Sequence, residues 1–237
     1  RGCDDWRREG LPIRSTCSSE ATKLYDCALN QLCGWYDDPL YGGLGNTLSD
    51  MEKADPDFIL GQSLGLGLEF QMLDVAQETR DKYQRLRALV DKNAGAYEDR
   101  EIQHLDAVGC LATGDHMGAV RVWERILALH PTDMHALRVA HFVYFRTGLS
   151  EQLRDSVARV VPHWQHRSLP LEGYLHGMYG FGLEETHIYD KAEREARLAL
   201  DMNACDGWAT HTMAHIHETH GAVDTGIQFL TSSADNW

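Results

Sequence analysis

The clearest alternation of apolar and polar positions in this chain runs from residue 114 to residue 146. Apolar residues recur there at intervals of three and four, first at Val120, Trp123, Ile126 and Leu127. A second set follows at Ala136, Leu137, Ala140, Val143 and Tyr144. This spacing places each set on one face of a helix, so the stretch predicts two amphipathic helices.

The junction between these two helices is His130-Pro131-Thr132-Asp133. Pro131 cannot continue the first helix, because it lacks an amide donor. Thr132 and Asp133 can accept hydrogen bonds from the free N–H groups of the second helix. The same acidic stop before a helix recurs at Asp57 and Asp206. The recurrence leaves room for repeat units of about 34–40 residues, which is typical of helical repeats.

Similar patterns predict helices elsewhere, at about 20–35, 45–53, 58–72, 74–96, 97–112, 150–161, 171–184, 188–200, 208–220 and 225–230. Ser150 is the expected N-cap of its helix, and Pro162 and Pro170 are expected to bracket a connector. We therefore expect an all-α fold, a right-handed α-solenoid of tetratricopeptide-like helical hairpins. Residues 1–237 are expected to form a single domain of this kind. Because the last apolar helix face needs a cover, we expect the natural protein to continue beyond Trp237.

Composition narrows the classes of partner. The chain has 237 residues, of which 43% are apolar and 24% charged, with a formal net charge of −14. So acidic a protein is not expected to bind nucleic acid or an anionic membrane surface. No apolar run approaches the ~18 residues of a membrane span. Six irregularly spaced cysteines without a CxxC motif are expected to be reduced, mostly buried thiols, which favours a cytoplasmic location.

One stretch carries possible chemistry, Trp208 to His220. His211, His215 and Glu218 fall within roughly 60° of one another on a helix, a plausible half of a Zn²⁺ or Fe²⁺ site. The spacing is not that of an HExxH motif, so a ligand from another helix is required, and His141 is a candidate. Three alternatives stay open: histidines that only hydrogen-bond one another or Glu218, a ligand contact, and a metal or catalytic site. No catalytic triad and no cofactor can be identified from these residues.

Several segments of the chain, taken in order, resemble one known family. They are LPIRSTCSSEATKLYD, ADPDF, WERILALHPTDM, LRDSVARV, YGFGLEE and HTMAHIHE. Together they are similar to the tetratricopeptide repeat protein 38 family over nearly the whole chain. The resemblance implies a soluble all-α tetratricopeptide-like protein with further helices beyond Trp237. It implies a fold and no settled activity.

Two classes of function follow. The first is a helical-repeat scaffold that presents a concave surface to a peptide or protein partner. Six aromatic residues are candidates to line that surface, although each is expected to lie in the core: Trp35, Trp123, Tyr144, Tyr174, Tyr179 and Trp208. The second is a metal-dependent or small-ligand-dependent enzyme that uses His141, His211, His215 and Glu218, with Trp208 as a further ligand contact.

Overall fold

The computed structural model describes residues 1–72, 74–165 and 167–236. Within these residues the chain forms thirteen α-helices and two short 3₁₀ turns, and no strand. The helices are α1 Cys3–Arg8, α2 Ser19–Gly34, α3 Leu44–Ala54, α4 Ile59–Glu69, α5 Gln77–Asn93, α6 Asp99–Ala112, α7 His116–Leu129, α8 Met134–Thr147, α9 Ser150–Trp164, α10 Glu172–Glu184, α11 Tyr189–Met202, α12 Gly207–Thr219 and α13 Val223–Ser232. The prediction of an all-α fold is confirmed.

The chain divides into two compact units. The first comprises residues 1–29 and 44–143, and the second comprises residues 30–43 and 144–237. In the first unit α6 packs against α7, α4 and α5. In the second unit α10 packs against α9, α11 and α12, and α12 also packs against α13. None of the described helices combines the length and apolar character needed to cross a bilayer.

The pattern at residues 114–146 predicts its helices correctly. They are α7 and α8, and Val120, Trp123 and Ile126 are all buried. The side chain of Asp133 begins α8, because its Oδ1 accepts a hydrogen bond of 2.9 Å from the Ala136 amide. The helix pair is therefore specified by local sequence, as the amphipathic spacing indicates.

Two details of α9 differ from the prediction. Ser150 is the first residue of the helix, and Leu149 precedes it without a side-chain cap. Pro162 does not start a connector but lies inside α9, which continues to the buried Trp164. Proline inside a helix costs about 3 kcal/mol, because it removes a hydrogen bond and its ring clashes with the preceding turn, whereas truncating a buried Phe or Trp side chain costs about 3–5 kcal/mol. Packing of Trp164 therefore outweighs the break at Pro162.

The cysteines are less buried than expected. All six are free thiols, but only Cys33 is buried, and Cys17 is exposed. Cys27 illustrates the reason, because it lies two residues from the buried Tyr25 and Leu29 on the same helix. Residues two apart on a helix point in nearly opposite directions, so Cys27 lies off the buried face.

A cluster of buried polar groups joins helices α6 and α8 of the first unit. Arg100 Nη1 donates to Asp133 Oδ2 at 2.8 Å, and His104 Nε2 lies 3.2 Å from the same oxygen. Arg100 Nη2 also donates to the carbonyl oxygens of Leu11 and Pro12, at 3.3 and 3.0 Å. The cluster thus holds the chain near residue 11 against α6 and the start of α8.

Two stacked histidines complete this cluster. The rings of His104 and His135 are 4.0 Å apart between centroids, and the Tyr25 hydroxyl lies 3.1 Å from His135 Nδ1. Burial, His104 and Arg100 lower the pKa of His135 well below its usual value, so it is neutral. Burial alone would raise the pKa of Asp133, but His104 and Arg100 outweigh it and hold that pKa well below its usual value.

Helix α10 is the centre of the second unit, and it approaches its neighbours at glycines. A Cβ atom on Gly180 would lie 3.1 Å from the Ala196 amide nitrogen on α11. A Cβ atom on Gly182 would lie 2.7 Å from the Arg154 Cα on α9. Backbone therefore meets backbone at both positions. A side chain at Gly182 would force a shift of the Arg154 backbone, and one at Gly180 would be tightly packed. This contact fixes where the C-terminal end of α10 lies.

The buried His135 makes stability depend on pH. Because the pKa of His135 is lowered in the folded state, its imidazole is protonated only in the unfolded state as the pH falls below about 6.5. Protonation therefore stabilises the unfolded state, and the folded state loses stability relative to it. Between pH 7 and pH 5 this single residue should lower the free energy of unfolding by about 2 kcal/mol. Urea unfolding of the wild type and of His135→Asn at both pH values measures it. An equal pH dependence in the two proteins would contradict the assignment.

The close approach at Gly182 predicts a large cost for one methyl group. Gly182→Ala should destabilise the protein by about 1–3 kcal/mol, because the Arg154 backbone cannot move aside cheaply. Gly45→Ala is the matched control, since Gly45 lies in α3 and its added Cβ meets nothing within 4 Å. The control should be neutral or slightly stabilising. Thermal and urea unfolding of both variants test this. Equal stabilities of Gly182→Ala and Gly45→Ala would contradict the close packing at Gly182.

Candidate ligand pocket and histidine–glutamate cluster

The second unit contains an apolar cavity of about 410 Å³, which we call the tryptophan pocket. It is lined by Trp35, Gly207, Thr210, His211, Ala214 and Leu230. A volume of this size is within the range of small-molecule sites, which are mostly apolar with a few placed polar groups.

Trp35 covers one side of the pocket in an unusual backbone conformation. Helix α2 ends at Gly34, Trp35 has φ +55°, and the Tyr36 amide donates to the Gln31 carbonyl at 3.2 Å. This is a Schellman turn, whose left-handed residue is usually glycine. A residue with a Cβ costs roughly 1–2 kcal/mol there. Trp35 is nevertheless 59% exposed, with its ring stacked on Trp208 at 5.0 Å.

The exposure of Trp35 corrects the sequence-based expectation of a core residue. The expectation assumed that the apolar face of α2 continues through position 35. The left-handed turn instead ends the helix at Gly34 and takes the side chain off that face. The other five aromatic residues of that set are buried, as predicted: Trp123, Tyr144, Tyr174, Tyr179 and Trp208.

Trp208 stacks against Trp35, and the N-cap residue of α12, Asp206, positions it. Asp206 accepts hydrogen bonds from the amides of Trp208 and Ala209, both at 3.0 Å. These bonds begin α12 and set the direction of every side chain that follows on it. Trp208 is buried and also contacts Phe181, with ring centroids 4.8 Å apart.

Thr210 gives the pocket an unused polar group. Its side chain is almost fully buried and lines the cavity, and its hydroxyl has no hydrogen-bond partner among the described residues. Thr212, two residues further along α12, differs, because its hydroxyl donates to the Trp208 carbonyl at 2.9 Å. A buried hydroxyl without a partner is costly, so the hydroxyl of this lining residue is a candidate hydrogen-bonding group for a ligand.

Two histidines extend from the pocket toward α10. His211 lines the cavity, and its ring lies 4.3 Å from the ring of His215 between centroids. Burial, and to a smaller extent His215, lowers the pKa of His211, so its ring is neutral near pH 7. His215 Nδ1 lies 3.1 Å from Glu184 Oε2, at the end of α10.

The structure brings together some of the residues singled out from sequence. Trp208, His211 and His215 lie on one helix and belong to this region of the second unit. Glu218 is exposed on the same helix. His141 is buried in the first unit. The proposed roles of these residues as ligands stay predictions.

Sequence reasoning missed two carboxylates. Of the described side chains, Glu184, Glu185 and His215 form the one group of three metal-type donors, with ligand atoms within 4.8 Å of one another. The consecutive glutamates are visible in the sequence, but nothing local indicates that they face α12. That juxtaposition depends on the packing of α10 against α12.

A second cavity, of about 450 Å³, lies in the first unit and is lined mostly by charged side chains. Most of these side chains are already paired with protein groups. Lys82 Nζ donates to Glu52 at 2.8 Å, Thr79 donates to Glu69 at 2.6 Å, and Arg85 pairs with Asp57. Such a cavity offers a ligand little that its own residues do not already supply.

No family model and no solved structure matches this chain. The resemblance to the tetratricopeptide repeat protein 38 family stays a prediction. The geometry of the second unit is therefore the basis for proposing a function.

Proposed function

We propose that this protein binds a small molecule with a planar ring and a hydrogen-bonding group in the tryptophan pocket. One observation carries the proposal: Trp35 is held exposed in a left-handed conformation beside a buried hydroxyl, Thr210, that has no protein partner. Strained residues at a cavity often serve function rather than stability. An exposed tryptophan offers a flat face on which a ring can stack.

The ligand class follows from the lining of the pocket. The walls are mainly apolar, so the ligand is mainly apolar. Stacking on Trp35 favours a planar ring over a flexible chain, because rigid partners lose less entropy on binding. The Thr210 hydroxyl can donate or accept one hydrogen bond, which selects a ring that carries a polar group.

A second proposal is the helical-repeat scaffold, in which a right-handed tetratricopeptide-like solenoid binds a peptide or protein in the cytoplasm. The packing of consecutive helices such as α6 with α7 and α10 with α11 supports it. So does the recurrence of a buried N-cap aspartate at Asp133 and Asp206. Five of the six candidate aromatic residues are buried, however, which leaves Trp35 as the exposed member of that set and favours the small-molecule proposal.

Indole is a suitable probe, because it is planar and carries one N–H donor. NMR titration should show saturable binding of indole at a single site. Trp35→Ala should weaken the affinity at least fivefold, since ring stacking contributes about 0.5–1.5 kcal/mol and apolar contact adds to it. Leu129→Ala removes an equally exposed apolar side chain outside the pocket and should leave the affinity unchanged. Absence of saturable binding, or equal affinities in Trp35→Ala and wild type, would refute the proposal.

The role of Thr210 is tested by a pair of variants and a pair of probes. Indene has the shape of indole without the N–H group, so the wild type should prefer indole by about two- to tenfold, the worth of one net hydrogen bond. Thr210→Val should abolish this preference without loss of stability. Thr212→Val should keep the preference but cost about 1 kcal/mol, because it removes a bond made within the helix. A preference that survives in Thr210→Val would exclude its hydroxyl from recognition.

A further inference from the structure

The C-terminal end of α10 presents two consecutive carboxylates to α12. Glu184 is the last residue of α10 and Glu185 is its C-cap, and His215 faces them from α12. One ligand atom from each residue lies within 4.8 Å of the others. In a tetrahedral zinc site with bonds near 2.0–2.1 Å, ligand atoms are roughly 3.4 Å apart. Small side-chain rotations would bring this group to that spacing.

The local charge at this point is unbalanced. The C-terminal end of a helix carries a partial negative charge, so it disfavours carboxylates. Glu184 is only 7% exposed, and among the described residues no Lys or Arg nitrogen lies within 4 Å of either glutamate. Glu185 receives only a 3.3 Å hydrogen bond from the Ser150 hydroxyl. His215, and His211 at longer range, are therefore the only imidazoles among the described residues that face these two carboxylates and a helix terminus of the same sign. Such an excess of negative charge favours the binding of a cation.

An ordinary histidine–glutamate pair in the same unit shows the contrast. His176 Nδ1 lies 2.7 Å from Glu195 Oε2, with both side chains partly buried. Glu195 lies inside α11 rather than at its C-terminal end, and no third metal-type donor joins the pair among the described residues. The group on α10 and α12 differs by its second carboxylate, its position at a helix end and the burial of Glu184.

We propose that Glu184, Glu185 and His215 bind one divalent transition-metal ion of the Zn²⁺ type. A mixed set of imidazole and carboxylate ligands suits Zn²⁺ and its neighbours better than Ca²⁺ or Mg²⁺, which prefer oxygen ligands alone. Three protein ligands leave a coordination position open, as in catalytic rather than structural zinc sites. This ligand set shares His215 with the set of His211, His215 and Glu218 expected from sequence. It does not depend on the tryptophan pocket having a ligand.

The test uses Zn²⁺ itself. Untagged protein is freed of metal with a chelator, dialysed and titrated with zinc chloride by calorimetry. The wild type should bind one Zn²⁺ per chain with micromolar affinity or tighter. His215→Asn and Glu184→Gln should each weaken this binding at least tenfold, because each removes a ligand. His176→Asn is the matched control, since it breaks a histidine–glutamate pair outside the group, and it should bind Zn²⁺ as the wild type does.

A folding defect must not be mistaken for a lost ligand. Circular dichroism and thermal unfolding without metal check each variant. Glu185→Gln provides a second test, because Glu185 is only half-buried and its amide keeps the shape of the side chain. A folded Glu185→Gln protein should also bind Zn²⁺ more weakly. The proposal is overturned if the wild type binds no Zn²⁺, if all folded ligand variants bind it normally, or if His176→Asn loses as much affinity as His215→Asn. Indole titration in the presence of EDTA separates failure here from failure of the pocket.

Discussion

A buried aspartate at the first turn of a helix is the interaction on which both units depend. Asp133 begins α8 and Asp206 begins α12, and both are almost fully buried. A carboxylate out of water is tolerable only if fixed hydrogen-bond donors surround it. Helix N–H groups supply some of these donors in both cases, and Arg100 and His104 supply the rest for Asp133. The chain can therefore begin each helix at one residue only.

That choice of starting residue decides the chemistry of the second unit. Once Asp206 sets the first turn of α12, residues three and four positions apart share a face. Trp208 lies beneath Trp35, Thr210 and His211 line the cavity, and His215 meets the end of α10. A helix begun one residue later would rotate each of these side chains by about 100°. The glycines of α10 fix the other half of the arrangement, because they hold its backbone against α9 and α11.

Local sequence was sufficient for most of the helices, though not for α1 or the C-terminal end of α9, and it was insufficient for the site. The apolar spacing around Trp123 and the cap at Asp133 are properties of adjacent residues, so the pattern predicts them. Trp35 breaks its own pattern through a left-handed turn that normally requires glycine. Glu184 and Glu185 become relevant only through packing of α10 against α12. Asp57 shows the converse: it resembles the other two acidic stops, yet α4 starts after Phe58 and Asp57 pairs with Arg85 at the surface.

The bonds from Arg100 to the carbonyl groups of Leu11 and Pro12 join positions 89 and 88 residues apart. During synthesis, residues 11 and 12 leave the ribosome long before Arg100 and Asp133 exist. At typical translation rates the delay is on the order of 10 s. Leu11 and Ile13, buried in the finished fold, cannot be held against α6 during this delay. The part of the first unit that is made early therefore docks late, after most of that unit has been synthesised.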